Sequence, residues 1–322
     1  MSVCADPNCR PEIGCDLGED LQNCPNWRAA TKRSHQAESD PKQPQEPNSV
    51  LPWSGNAFGI EALSFVAGRS NPAIIAIVGP YNSGKTTLLA SWYLLTSRGQ
   101  FPYGLHFSGS FTLGGWENIS HRLLWSADGG PTFPLHTPVG GRTAGMLHIA
   151  YRTTSTGTLK DYAFVDAPGE WYRRWSIAED APNAEGARWA ATNADVFLVL
   201  ADSDSLTGED RGEARQTLQH ILDRLGSVLN GRPLALVWSK ADKAPSTEMR
   251  QAIREAARLA SSKYVEFEVS VYPESEEALV SQRFLKVLEW ALTQDRRQVG
   301  PSPCSLQKTN GLGSYGRSVC RE

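Results

Sequence analysis

The sequence predicts an α/β fold in which a mainly parallel β-sheet is covered by helices on both faces. Three short segments, Ala73–Val78, 196–201 and 234–238, are apolar throughout, which is typical of strands buried on both faces. Longer segments, such as 218–229 and 247–260, carry apolar residues at helical spacing. Strands and helices that alternate in this way form a parallel sheet between two helical layers.

Composition restricts the classes of protein to which the chain can belong. Its 322 residues are 40% hydrophobic and 21% charged, enough for one large or two small domains with a substantial core. A net charge of −3 gives no basic surface for nucleic acid or an anionic membrane. No apolar run approaches the roughly 20 residues of a membrane helix, and the first residues lack signal-peptide features. We therefore expect a cytoplasmic protein without a membrane span or nucleic-acid partner.

The first 30 residues form a cysteine-rich segment that holds four of the six cysteines, Cys4, Cys9, Cys15 and Cys24. In a reducing compartment such residues are thiols or metal ligands rather than disulfides. Four thiolates satisfy tetrahedral Zn²⁺, and so short a segment has no apolar core of its own. We predict a small zinc module over residues 1–30. The alternative is a disordered leader with four solvent-accessible thiols.

Composition also divides the rest of the chain. Residues 31–50 contain three prolines and almost no apolar side chains, which predicts a disordered linker. Residues 51–294 carry the alternating strands and helices and are predicted to form the main domain. Residues 295–322 are rich in Gly and Ser and include the isolated Cys304 and Cys320, which predicts a disordered tail.

A phosphate-binding motif lies at the end of the first core strand. Residues 79–86 read Gly-Pro-Tyr-Asn-Ser-Gly-Lys-Thr and lead into a predicted helix over about 85–97. In this context G-x-x-x-x-G-K-[ST] predicts a P-loop, and with it a P-loop NTPase fold. Two glycines let backbone N–H groups point at the phosphates, the lysine contacts the β- and γ-phosphates, and the threonine ligates Mg²⁺. The candidate nucleotide-binding residues are Gly79, Asn82, Ser83, Gly84, Lys85, Thr86 and Thr87.

Periodicity and turn signals predict the remaining elements in order. The first half has a short helix ending at Gly68, a strand at 105–107, a turn at Gly114-Gly115, a helix over about 116–125, and a hairpin of strands at 146–152 and 161–165. No element is predicted in the polar, Trp-rich stretch 170–193. The second half has strand 196–201, a long helix closed by Asn230-Gly231, strand 234–238, helix 247–260, strand 264–271 and helix 275–293.

The second strand of the hairpin ends in Asp166-Ala167-Pro168-Gly169. A carboxylate at the end of a strand beside a P-loop is placed to hold Mg²⁺ through water, so Asp166 is a candidate metal ligand. The amide of Gly169 is within reach of a γ-phosphate.

The order of the P-loop, D-x-P-G and Ser-Lys-Ala-Asp at 239–242 resembles the GTPases of the TRAFAC class over about residues 73–293. In that class the second motif is D-x-x-G and the third is [NT]-K-x-D, so Ser239 replaces the usual Asn or Thr. The resemblance implies that Asp242 accepts from guanine N1–H and N2–H₂ through charge-assisted hydrogen bonds. Adenine presents an acceptor at N1, which this carboxylate would repel. By the same resemblance Lys240 lies along the base plane, and the amide of Ser270 meets guanine O6.

The resemblance also implies a switch threonine that ligates Mg²⁺ only when a γ-phosphate is present. Small GTPases have it a little over twenty residues before the Asp of D-x-x-G. Thr143 lies 23 residues before Asp166, and Thr137 is the second candidate. A buried structural threonine is the alternative.

Small GTPases carry a water-orienting Gln where this chain has Glu170. A carboxylate there would repel the γ-phosphate, so we expect slow intrinsic hydrolysis that a protein partner could assist. The candidate catalytic residues are Lys85, Thr143, Gly169 and Glu170.

The stretch Asp-Ala-Pro-Gly-Glu-Trp-Tyr, the long insertion between Thr86 and Thr143 and the cysteine-rich leader resemble the double-GTPase TRAFAC domains of bacterial conflict systems. The implied function is a Mg²⁺-dependent switch that binds GTP and GDP and contacts an activator or effector protein. Two alternatives stay open. One is a nucleotide-binding scaffold with little turnover, and the other is a P-loop ATPase or kinase in which the match at 239–242 is coincidental.

Overall fold

The structure is a computed structural model that describes residues 57–121, 123, 125–126, 130–134, 145–272 and 277–294. The predicted zinc module, linker and tail lie outside the described residues. The strands are β1 (Ala73–Val78), β2 (Leu105–Gly109), β3 (Trp125–Ser126), β4 (Gly130–Pro131), β5 (Gly145–Thr153), β6 (Leu159–Asp166), β7 (Val196–Asp202), β8 (Leu234–Ser239) and β9 (Val265–Glu268). The helices are α1 (Leu63–Ala67, after a 3₁₀ turn at Ile60–Ala62), α2 (Lys85–Ser97), α3 (Leu113–Ser120), α4 (Gly169–Ile177), α5 (Glu185–Asn193), α6 (Arg211–Val228), α7 (Thr247–Ala260) and α8 (Glu277–Thr293).

Seven strands form one sheet in the order β2-β5-β6-β1-β7-β8-β9. The strands β6, β1, β7, β8 and β9 run parallel, whereas β5 is antiparallel to both of its neighbours. The strands β3 and β4 pair separately. Central strands β7 and β8 are buried along their whole length, which explains why their sequences are apolar without alternation. The mainly parallel sheet predicted from the sequence is confirmed, as is the hairpin β5–β6.

Helices cover both faces of the sheet. On one face, Leu88 and Trp92 of α2 pack with Ile75 and Ile77 of β1 in a buried apolar cluster. On the other face, α4, α6 and α7 contribute the buried side of a second cluster around Val78. The predicted two-sided covering is therefore confirmed. Across the described ranges, no helix combines the length and the apolar character needed to cross a membrane.

Helix α3 differs from the prediction in both of its bounds. It begins before Trp116, so Gly114-Gly115 lies in its first turn rather than in a separate turn, and it ends at Ser120. Tertiary packing is the reason. Trp116 is buried, and its Nε1 donates to the carbonyl of His148 in β5 at 2.7 Å, which anchors the helix to the sheet. The predicted helix end at Trp125 is wrong, because that residue belongs to β3.

Two helices, α4 and α5, occupy the stretch 170–193, for which the sequence predicts no element. In α4 the buried Trp171 and Trp175 stand four residues apart, a helical spacing obscured by the polar residues around them. The buried side of α5 consists of small residues such as Ala187 and Ala190, which give little hydrophobic periodicity.

A buried charged network joins the segment before β1 to the hairpin β5–β6. The carboxylate of Asp161 accepts hydrogen bonds from Arg69 Nε at 3.2 Å, from Ser70 Oγ and from His148 Nε2 at 2.9 Å. The amide of Phe111 donates to His148 Nδ1 at 3.0 Å, so this imidazole is the neutral tautomer with its proton on Nε2. The side chains of Asp161 and His148 are both fully buried.

The pKa values in this network follow from its hydrogen bonds. Burial raises the pKa of Asp161, but the donors from Arg69, Ser70 and His148 outweigh it, and the pKa lies below its usual value. Burial lowers the pKa of His148, although Asp161 partly opposes the shift. The network therefore stabilises an ionised carboxylate and a neutral imidazole.

Candidate functional site

The carboxyl ends of the parallel strands β1, β6 and β8 meet at one edge of the sheet. A cavity of about 910 Å³ opens there, lined by residues 81–88, by Gly169 and Glu170 after β6, and by Lys240 and Asp242 after β8. The remaining sequence-predicted residues that line it are Ser239 and Ser270. The structure thus brings the candidate phosphate-binding and base-binding residues into one cavity, at the edge where open α/β sheets bind ligands.

Two residues with left-handed backbone conformations shape the loop between β1 and α2. Asn82 has φ of 58° and Gly84 has φ of 86°. Glycine adopts this region at no steric cost, and asparagine tolerates it. Helix α2 begins directly after Gly84, so its N-terminus opens at the cavity, where it favours an anion. Gly79 is needed for close packing, since a Cβ there would lie 2.7 Å from Ser83 Oγ.

Lys85 places a buried cation beneath this loop. Its Nζ donates to the carbonyl oxygens of Gly79 at 3.1 Å and Pro80 at 2.8 Å. Burial lowers the pKa of Lys85 to about 8, and the charges of Asp166 and Glu170 offset only part of that shift. The surroundings therefore disfavour the charged ammonium, and a phosphate group at the cavity would supply the missing negative charge.

Thr86 and Asp166 form an oxygen-rich pair next to the loop. Thr86 Oγ1 donates to Asp166 Oδ2 at 3.0 Å, and the carboxylate ends β6 with only 7% of its surface exposed. Mg²⁺ in nucleotide sites takes one or two protein oxygens and completes its shell with phosphate and water. Among the described residues no group of three His, Cys, Asp or Glu could hold a metal by itself. The pair therefore fits a Mg²⁺ ion that a nucleotide brings with it.

Gly169 begins α4 and touches the backbone of the phosphate-binding loop. A Cβ at this position would lie 2.2 Å from the Tyr81 nitrogen and 2.6 Å from the Pro80 oxygen, so no larger residue fits. Glu170 follows, is half-buried, and lines the cavity. The structure places both residues at the phosphate end, and their catalytic roles stay predictions.

The loop after β8 is fixed by an ion pair at its start. Lys240 has φ of 50°, and its Nζ donates to Asp202 Oδ2 at 2.9 Å. The other oxygen of Asp202 accepts from the amide of Asp204 at 3.1 Å. Ser239 Oγ donates to the carbonyl of Ala201 at 3.3 Å, so its hydroxyl braces the loop against β7. The contact of Lys240 with a base plane stays a prediction.

A second contact orients the carboxylate of Asp242. Its Oδ1 accepts from Ser270 Oγ at 2.5 Å, and Ser270 Oγ in turn accepts from the amide of Tyr272 at 3.1 Å. The structure therefore gives the Ser270 side chain a role that the sequence does not reveal. The predicted contact of the Ser270 amide with guanine O6 stays a prediction.

Three residues at the base-binding end of the cavity were not predicted from the sequence. Asp202 is the last residue of the buried strand β7, beside the cavity. An acidic residue at the end of an apolar strand could have identified it from the sequence as a candidate site residue. Phe133 and Tyr272 also line the cavity, with ring centroids 6.3 Å apart, 43% and 44% exposed. Their flat apolar faces suit a planar base, but no pattern in the sequence connects two residues so far apart.

Several sequence-predicted residues lie outside the described residues. They are the switch threonine candidates Thr143 and Thr137 and the zinc-ligand candidates Cys4, Cys9, Cys15 and Cys24.

Comparison with known proteins agrees with this geometry. A family model described as Double-GTPase 2 matches residues 73–291, which is more than half of the chain and includes the loops at both ends of the cavity. A search of curated proteins finds no match.

Proposed function

The chain belongs to the Double-GTPase 2 family, and on this premise we propose that it is a Mg²⁺-dependent switch that binds GTP and GDP and hydrolyses GTP slowly. One observation carries the proposal: a single cavity of about 910 Å³ has an incompletely compensated cation, Lys85, at one end and an oriented carboxylate, Asp242, at the other. Its volume is in the range of small-molecule sites.

Each end of the cavity has a distinct task. The loop amides and Lys85 bind the phosphates, while Thr86 and Asp166 hold the metal, which neutralises charge on the phosphate oxygens. The amide of Gly169 and the side chain of Thr143 sense the γ-phosphate. Asp242 binds the N–H groups of guanine, and the hydroxyl of Ser270 keeps its carboxylate in position.

Base specificity is tested by competition against a fluorescent GTP analogue. We expect unlabelled GTP and GDP to displace it at concentrations at least tenfold below those of ATP. Asp242→Asn should remove most of this preference, whereas Asp223→Asn, the same change at an exposed position on α6, should keep it. Equal competition by ATP in the wild type would favour the ATPase or kinase alternative.

Hydrolysis is tested by single-turnover assays with and without cell lysate. The charge of Glu170 reaches the phosphate end, since it raises the pKa of Lys85. We expect Glu170→Gln to raise the rate or leave it level, because the repulsion of the γ-phosphate is relieved. Loss of turnover with intact binding would make Glu170 a catalytic group instead. Absence of GTP hydrolysis in every condition would favour the second candidate function, a nucleotide-binding scaffold. The carboxylate of Glu170 supports this candidate as well, because it would repel the γ-phosphate.

We also propose that residues 1–30 bind one Zn²⁺ and contact a protein partner, as part of a bacterial conflict system. Four clustered cysteines support the metal, since structural zinc contributes about 10–16 kcal/mol of apparent binding energy to small modules. Protein purified under reducing conditions should carry about one zinc, and Cys9→Ser with Cys24→Ser should lose it. Metal-free wild-type protein would refute the zinc module.

The switch itself is tested by the binding of a protein partner. A partner that co-purifies equally with GDP-bound and triphosphate-bound protein would argue against a switch.

A further inference from the structure

The ion pair between Lys240 and Asp202 lies in the wall of the cavity, at its base-binding end. Lys240 lines the cavity, and its side chain is 29% exposed. Its Nζ donates to Oδ2 of Asp202, which is 4% exposed, at 2.9 Å. A second carboxylate oxygen, Oδ2 of Asp204, lies 3.9 Å from the same Nζ. The ammonium is therefore held at the wall by two carboxylates.

Asp202 itself is fixed by the sheet. It is the last residue of β7, and it lies opposite Ser239 of β8 in the strand register. The amide of Ser203 donates to the carbonyl of Ser239 at 3.1 Å, so the two strands stay joined up to the loop that follows β8. Oδ1 of Asp202 accepts from the amide of Asp204 at 3.1 Å. Because the backbone holds one carboxylate oxygen, the other is a fixed acceptor for Lys240.

This pairing determines which part of Lys240 a ligand meets. A buried carboxylate is costly unless it is paired, so Asp202 retains the ammonium. A lysine side chain that is not paired is flexible, and its charge is attracted to any phosphate. With the ammonium bound at the wall, the side chain presents its methylene stem to the cavity, and such stems cover apolar surfaces well.

We propose that Asp202 is a positioning residue for base selectivity, which keeps the ammonium of Lys240 at the wall and leaves its stem to pack against the base. Without this contact the ammonium follows the phosphates, which all nucleotides share. The loop that carries Asp242 also loses its anchor on β7. Both effects reduce the difference in affinity between two bases. The inference rests on the proposed guanine-nucleotide function.

The test compares Asp202→Asn with Asp195→Asn. Asparagine keeps an acceptor for the amide of Asp204 but presents an NH₂ group to Lys240, so the ion pair alone is lost. Asp195 lies at the opposite end of β7, where its Oδ2 accepts from the amide of Ile74 at 2.8 Å. Competition against a fluorescent GDP analogue gives the dissociation constants of ADP and GDP, and their ratio measures base selectivity. Melting temperatures show that the variants are folded.

The ratio excludes a general effect of charge on the phosphates. The negative charge of Asp202 also raises the pKa of Lys85, so its removal changes the affinity for every nucleotide. ADP and GDP carry the same phosphates, and this change cancels in their ratio. A double substitution then isolates the part of the effect that acts through Lys240. In a Lys240→Met background, Asp202→Asn can no longer free an ammonium.

We expect Asp202→Asn to lower the ratio of the ADP to the GDP dissociation constant about tenfold, and Asp195→Asn to leave it unchanged. In the Lys240→Met background, Asp202→Asn should lower the ratio by less than about twofold. Lys240→Ala removes the stem and should also lower the ratio about tenfold, which tests the inference if Asp202→Asn does not fold.

Four results would overturn the inference: an unchanged ratio in Asp202→Asn, an equal fall in Asp195→Asn, an equal fall in the Lys240→Met background, or an unchanged ratio in Lys240→Ala. A wild type that binds ADP as tightly as GDP would refute the proposed guanine specificity itself. That failure is recognised separately, because it occurs without any substitution.

Discussion

The sheet carries two buried charged clusters that differ in how well their charges are compensated. Around Asp161, donors from Arg69, Ser70 and His148 hold the pKa of the carboxyl below its usual value. Around Lys85, burial lowers the pKa of the ammonium to about 8 despite nearby carboxylates. The surroundings of Asp161 therefore favour its ionised form, whereas the surroundings of Lys85 disfavour its charged form.

The difference shows that burial of a charge does not by itself identify a functional site. Arg232 is also a buried cation bound to carbonyl oxygens, but it reaches those of Ala191, Ala194 and Val228 at the carboxyl ends of α5 and α6. Helix ends of this kind carry partial negative charge, so the guanidinium is compensated within the fold. Within the described part of the chain, Lys85 donates to two loop carbonyls, and we propose that a bound phosphate completes its charge compensation.

The largest effect is expected at the compensated cluster. Asp161→Ala leaves Arg69 and His148 without their shared acceptor and should lower the free energy of unfolding by about 4 kcal/mol. The measurement is chemical denaturation without nucleotide. GDP affinity of the folded fraction should not change, because the network lies away from the cavity. A loss below about 1 kcal/mol would show that this cluster does not stabilise the fold.

The next largest effect is expected at Lys85, whose charge is incompletely compensated. Lys85→Met removes the cation that is proposed to bind the phosphates, so it should weaken the binding of GTP and GDP alike about a hundredfold, or about 3 kcal/mol. The free energy of unfolding without nucleotide should stay level or rise, since a poorly compensated charge is lost. Binding is followed by calorimetry, with exposed Lys263→Met as the control. If Lys85→Met strongly lowered the free energy of unfolding, Lys85 would stabilise the fold as the cluster around Asp161 does, and the contrast between the two clusters would be wrong.

The smallest effect is a pH dependence at His148. Its pKa is lower in the folded protein than its ordinary value of 6.5, because burial disfavours the imidazolium. The unfolded chain therefore binds more protons, and stability should fall as pH drops below about 6.5. Denaturation at pH 7.5 and 5.5 should show a weaker pH dependence for His148→Gln than for the wild type. Exposed His220→Gln should behave as the wild type, and identical profiles for all three proteins would contradict the assignment.

Local signals in the sequence were sufficient for much of the fold and for the phosphate end. The apolar run Ala73–Val78 and the motif after it predict β1, the loop and α2 with the bounds observed, because each signal lies within neighbouring residues. The hairpin β5–β6 is similarly local. Helix α5 was missed because its buried side is alanine and glycine, which pack well and give no hydrophobic signal.

Contacts between distant residues could not be predicted. Arg69 and Asp161 are 92 positions apart, and Asp202 and Lys240 are 38 apart. Such pairs depend on strand order, which one sequence does not specify. The uneven compensation of the two clusters follows from these long-range contacts, so it is visible only in the folded protein.

A bound phosphate group should complete the charge compensation of Lys85. Calorimetric titration of GDP into the wild type at pH 8, in two buffers of different ionisation enthalpy, measures the protons taken up on binding. With a pKa of about 8 in the free protein, Lys85 is about half protonated, and bound phosphate should protonate it fully. We expect uptake of about half a proton at pH 8, rising toward one at pH 9. Tight binding with no net proton uptake at either pH would contradict it.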